Sequence, residues 1–216
     1  MDGFDVRFLM CVFLLLAAVG CSRPEAKQKS PKTQILVRPK PEFNLPVDPK
    51  AQKLAFELMK DEIAWRDRYG YLHSDRLDRL VGMGEKAVGA VVAVWCHLLE
   101  KGGPEGLRYR LLEALLRLAS KEAVPFLNYV LREGENRERI LAARCALEWG
   151  DERNVAALIE QMDNPDVRVL CACAAALRRI TGCYFGLEKR FDEATNRNAA
   201  KRWKLWYQTQ IRSAGP

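Results

Sequence analysis

Cys96-His97 and Cys171-Ala172-Cys173 are where a metal or an activated nucleophile would be sought first in this chain. Thiolate sulfur and imidazole nitrogen are preferred zinc ligands, and a cysteine beside a histidine is the opening pair of a thiol nucleophile. Spacing works against both chemistries. Each pair lies in an apolar stretch with helical periodicity, where residues one or two apart point to different faces. No two of these residues have the spacing of a zinc site. The second histidine, His73, stands apart, and neither histidine falls in a metalloprotease, nucleophile-elbow or phosphate-loop pattern. Gly82-Met83-Gly84 reads as a turn, because no strand precedes it as a nucleotide fingerprint requires. The expectation is no catalytic set, no metal, no cofactor and no small-molecule substrate. Cys96, Cys145, Cys171, Cys173 and Cys183 read as small hydrophobes, mostly at apolar helical positions. A bridge from Cys145 to Cys171 or Cys173 stays open, since their helices would stack.

One thiol has a different setting. Phe8 to Val19 is an unbroken apolar run of twelve residues, followed by Gly20 and Cys21. A membrane span needs about 20 residues, so the run has the length of a signal-peptide core instead. The ending Ala18-Val19-Gly20-Cys21 resembles the lipobox of bacterial lipoproteins. That resemblance implies a signal peptide over residues 1–20, cut before Cys21. It also implies a diacylglyceryl group on the Cys21 thiol and acylation of the new amine. The address implied is the bacterial cell envelope, with the chain anchored to a membrane and facing the periplasm or exterior. Two acyl chains meet the usual requirement for stable anchoring.

Residues 21–49 read as a basic, proline-rich linker. Six of the ten prolines fall between residues 22 and 50. Proline removes backbone donors and favours an extended chain. Seven Lys or Arg against three Asp or Glu in residues 23–50 give this segment +4, out of +7 for the whole chain. Residues 51–216 carry 27 against 23, so the folded part is nearly balanced and offers no basic footprint for nucleic acid. A short apolar island, Ile35-Leu36-Val37, is the one part of the linker suited to docking.

What would position any of these groups is a series of amphipathic helices. Leu54, Leu58, Trp65 and Tyr69 form one helical stripe that Gly70 ends. Helices are expected at His73–Val81, Ala87–Leu99, Arg108–Ala119, Glu122–Leu131, Glu138–Trp149, Val155–Met162 and Val167–Ile180. Gly102-Gly103-Pro104 breaks the series once. Inside it runs a ladder with a period of 31 residues: Leu118, Trp149 and Ile180; Leu115, Ala146 and Leu177; Leu111, Ala142 and Cys173. Val124 with Val155 and Leu127 with Leu158 keep the same step. A fixed period of this length with helical spacing inside each unit is the signature of an α-solenoid. The reading is all-α, a superhelix of about four to five helical hairpins over residues 50–212. A last helix, Asn196 to Arg212, carries Trp203 and Trp206 on one face and reads as the cap. Its rival reading is a contact patch of Trp203, Trp206, Lys201 and Arg202 for nucleic acid or membrane.

Two phrases sharpen the fold. They are Leu147-Glu148-Trp149-Gly150-Asp151-Glu152-Arg153-Asn154-Val155-Ala156-Ala157-Leu158 and Asp163-Asn164-Pro165-Asp166-Val167-Arg168. They resemble HEAT repeats, in particular the short bacterial kind grouped with phycobilisome-lyase-like repeats. The first looks like that family's small-residue turn before a second helix, the second like its inter-unit turn. In the family an Asp and an Arg often bond along such turns, and Arg137 and Arg168, 31 apart, match the Arg position. The resemblance covers roughly residues 75–182 and extends more weakly to 212. It implies a noncatalytic protein-binding or scaffold module, with the groove between successive second helices as the binding face and another protein as partner. The family name alone implies the alternative of a phycobilin-lyase-like or other ligand-binding enzyme. A nucleic-acid-binding repeat protein is the third class, open if the leader is not used for export.

Overall fold

The computed structural model describes residues 43–65, 75–103, 105–186 and 193–213, with only the backbone given at 60–65, 75, 193 and 211–213. The leader, Cys21, Ile35-Leu36-Val37, Tyr69, Gly70 and His73 lie outside the described residues. All described residues belong to one contact unit, Val37–Pro216.

Asp48 starts the first helix. Its Oδ1 accepts the backbone N–H groups of Lys50 and Ala51, both at 2.9 Å, and Pro49 takes the first helical position. Helix α1 then runs over Pro49–Trp65 and buries Ala51, Leu54, Ala55 and Leu58 along one stripe. Next come α2 (Asp75–Gly82), a 3-10 turn (Gly84–Ala87) and α3 (Val88–Glu100). Nine of the thirteen residues of α3 are buried, which accounts for a sequence apolar almost all round. Helices α4 (Glu105–Leu118), α5 (Val124–Glu133), α6 (Asn136–Trp149), α7 (Val155–Glu160), α8 (Val167–Thr181) and α9 (Glu193–Ser213) follow. Among the described residues there is no strand, so the chain is all-α.

The helices pack in two series. α2 touches α4, α4 touches α6, and α6 touches α8. α1 packs on α3, α3 on the turn that opens α5, and α5 on α7. Contacts of α1 with α2, α3 with α4, α5 with α6 and α7 with α8 tie the series together. The 31-residue ladder falls on the shared core. Leu111, Ala142 and Cys173 are wholly buried, as are Ala146 and Leu177, with Leu115 at 1% exposure. Trp149 is buried, and Leu118 and Ile180 are half-buried against the same core. Each buried leucine is worth about 1.5–3 kcal/mol over an exposed one.

The structure adjusts several boundaries. Lys121–Ala123 and Glu152–Asn154 are 3-10 turns that lead into α5 and α7, and α7 tightens into another at Gln161–Asp163 instead of running to Met162. The residues just before the first two explain them: Ser120 and Asp151, 31 apart, each accept a backbone N–H with the side chain. α9 begins at Glu193, three residues before Asn196. The packed chain begins by Phe43, ahead of the expected residue 50, because Phe43 and Leu45 lie against the core.

Candidate functional site

The thiols come first. Cys96 is buried on α3, while its neighbour His97 turns away and sets its ring edge-on to Phe56 of α1 at 5.5 Å. Cys145 sends its thiol toward the Leu112 carbonyl of α4, 4.0 Å away. That direction leads away from α8, where Cys171 and Cys173 sit. All five described cysteines are thiols and none is bridged. Burial pushes the Cys145 thiol up to about 12 and raises Cys173 as well, so both stay protonated and inert at neutral pH. Among the described residues no three His, Cys, Asp or Glu gather as a metal site, and no helix is long and apolar enough to cross a membrane.

Surfaces, not reacting atoms, are what the helices arrange. The first is an aromatic slot between α3 and α5. Trp95 meets Phe126 edge-on at 5.1 Å and Tyr129 at 6.2 Å. The irregular segment Phe43–Asp48 lies over it, with the Phe43 ring edge-on to Phe126 at 5.4 Å and to Tyr129 at 5.9 Å. The backbone of this strap comes so close to α3 that a Cβ on Gly89 would sit 2.0 Å from the Pro46 carbonyl oxygen. Only glycine admits that approach.

The second is the set of junctions between successive helices. Arg108 on α4, 7% exposed, donates to Glu138 at 2.8 Å, Glu135 at 3.1 Å and the Gly103 carbonyl at 3.3 Å. Glu138 is 1% exposed, and its second oxygen accepts the Glu135 N–H at 3.0 Å, closing a capping box on α6. At the next junction Asn136 donates to Asp166, and Asn164 to Asn136, both at 3.4 Å. Between α5 and α7, Arg132 grips Glu160 through two bonds of 2.7 and 3.0 Å, which raises its pKa. Asn154 donates to Asn128 at 2.8 Å, and Arg179 of α8 to the Gly150 carbonyl at 2.7 Å.

The expected arginine position behaves differently. Arg168 spends its guanidinium on Asp166 of its own turn, with Nη2 2.7 Å from Oδ2, and Asn136 of α6 makes the bond to that turn from the neighbouring helix instead. Arg153 and Asp151 repeat that local pairing at 2.8 Å. Both carboxyls are held below the ordinary value near 3.8, first by the arginine hydrogen bond and also by a backbone N–H. Arg137 stands exposed over a shallow groove that includes Tyr109 and Ile140.

The third surface is the end of the series. Trp203 is wholly buried and Trp206 half-buried, with rings perpendicular at 5.7 Å. Phe185, from the loop after α8, completes the cluster at 4.8 Å from Trp203 and 6.3 Å from Trp206. Sequence reasoning assigned the tryptophans to one face but had no periodic signal for Phe185. On the other side of α9 a groove of about 980 Å³ opens between that helix, the Gln161–Asp163 turn and the start of α8. Val167 and Leu205, among the most exposed large apolar residues described, both line it. Arg197 and Lys201 rim it, and Lys204 bridges across to Asp163.

No family model, no curated protein and no solved structure matches this chain.

Proposed function

We propose that the chain is a noncatalytic protein-binding or scaffold module, a HEAT-like α-solenoid held at the bacterial cell envelope by lipid on Cys21. The observation that supports it best is the agreement of period and packing. Positions 31 apart fall in the shared core of successive helices, and the capping residues Ser120 with Asp151 and Glu135 with Asp166 recur at the same step. A polar inventory spent on junctions and caps favours a scaffold over an enzyme. Partners dock, on this reading, along α3, α5 and α7, where Phe43 occupies the first step.

Mass spectrometry of the mature N-terminus tests the anchor. An acylated Cys21 is expected, with Cys21→Ser accumulating as precursor. A mature chain that starts at Met1, or is cut elsewhere without lipid, sinks that half of the proposal. Photo-crosslinkers placed on exposed positions of α5 and α7 in native membranes test the other half. One recurrent protein partner is expected, and crosslinks to lipid alone would overturn it.

A further inference from the structure

We propose that the groove between α8 and α9 receives a short amphipathic helix from a partner protein, apolar along one face and acidic along its flanks. Three observations point there. The groove is concave and pairs Val167, 44% exposed, with Leu205, 62% exposed, across a floor of Leu170 and Ala200. Among the described residues that line it, three bases, Arg197, Lys201 and Lys204, stand against a single carboxylate, Asp163, so this lining is basic. An acidic flank complements that rim.

The third observation is a change of residue type along the repeat. One period before Leu170 stands Arg139, and two before stands Arg108, the residue that locks α4 to α6. The same steps back from Val167 lead to Asn136, which bonds to Asp166, and to Glu105. Earlier units carry polar side chains at these positions: Arg108, Asn136 and Arg139 in hydrogen bonds, and Glu105, half-buried, at the start of α4. The last unit has apolar side chains there, Leu170 buried in the floor of the groove and Val167 exposed to it. That exchange suits an apolar occupant stacked where a further helix of the first series would lie. α9 does not take the place, for it packs on α7 and the Gln161–Asp163 turn as much as on α8. A concave wall fits a helix laid into it, whereas a bilayer is met by a convex or flat face.

The inference rests on reading the domain as a binding module. Its test uses the full chain in phosphatidylcholine nanodiscs and a fluorescent synthetic helix of about 15 residues, with leucines at i, i+3, i+4 and i+7 and glutamates beside them. The acidic peptide is expected to bind, and its lysine-for-glutamate twin to bind about tenfold more weakly or not at all. Leu205→Glu should weaken the acidic peptide about tenfold or more while leaving the melting temperature unchanged, because the side chain is exposed. Arg197→Glu with Lys201→Glu should reverse the preference between the two peptides. Equal binding of both peptides, no binding of the acidic one, or indifference to Leu205→Glu would overturn the proposal. So would a dimer that Leu205→Glu dissolves, or phosphatidylglycerol vesicles that displace the peptide from the wild type. Should the peptide fail while α5 and α7 still crosslink to a partner, the groove alone is wrong. Loss of both removes the module reading.

Discussion

At the α3 edge the chain is covered by six residues of irregular backbone, and at the α8 edge by a helix of 21 residues. The short cover fits more closely. Phe43 enters an aromatic slot and Pro46 rests where α3 has no side chain. The long cover seals with Trp203 on one face and leaves a groove on the other. A strap follows the surface it covers residue by residue. A helix meets it along one stripe and diverges beyond, so the bulkier closure is the one that leaves room.

Removing residues 196–216 should do the greatest damage, because it takes away Trp203 and uncovers α7 and α8. A sharply lower melting temperature and self-association are expected. Hydrogen exchange should stay slow in α3 and α4, since on the proposed solenoid reading units depend on their neighbours. Equal loss of protection throughout would show that the two edges are not independent.

Trp203→Ala should cost about 3–5 kcal/mol in urea unfolding, and Trp206→Ala clearly less because that ring is half-buried. Equal costs would mean that Trp206 is no rim residue. Arg108→Leu at the α4–α6 junction should lose a similar amount, about 3–5 kcal/mol, by stranding the buried Glu138 carboxylate. Adding Glu138→Leu should recover most of it, and a double variant no better than the single one would refute the pairing.

The strap should be worth less. Phe43→Ala and Gly89→Ala are each expected to cost about 1–3 kcal/mol. They should be strongly non-additive, because either one dislodges the same segment. Simple addition would show that Gly89 matters for α3 itself.

Acid should have the smallest effect. Asp151 and Asp166 titrate below 3.8, so their contribution is complete above about pH 5 and lost as pH falls through their lowered values. Asp166→Asn should flatten the fall in melting temperature below that pH, by little, because the paired arginines are exposed. An unchanged acid profile would remove Asp166 from the account.

The helices and their ladder were legible because apolar periodicity carries the core: α3, α6 and α8 lie within two residues of their expected bounds. The strap was hidden by its prolines, which read as linker, and by aromatic contacts that have no period. Ile35-Leu36-Val37, the island suited to docking, lies outside the described residues, and among those described Phe43 and Leu45 pack on the core. Arg108 and Glu138 were hidden because charge on a helix usually marks a wet face. Their 30-residue separation joins them only once α4 lies on α6. The groove was invisible for the same reason, since Val167 and Leu205 share no element.

The strap also decides how the domain feels a pull. Tension along the N-terminal chain reaches the Phe43 ring and the Pro46–Gly89 contact before it reaches Asp48 and the cap of α1. The tug arrives sideways on α3 and α5, across an interlocked ring, so α1 is not peeled off from its free end. Pulled from that end, the domain yields first at the strap, and a slipped strap bares Trp95, Phe126 and Tyr129.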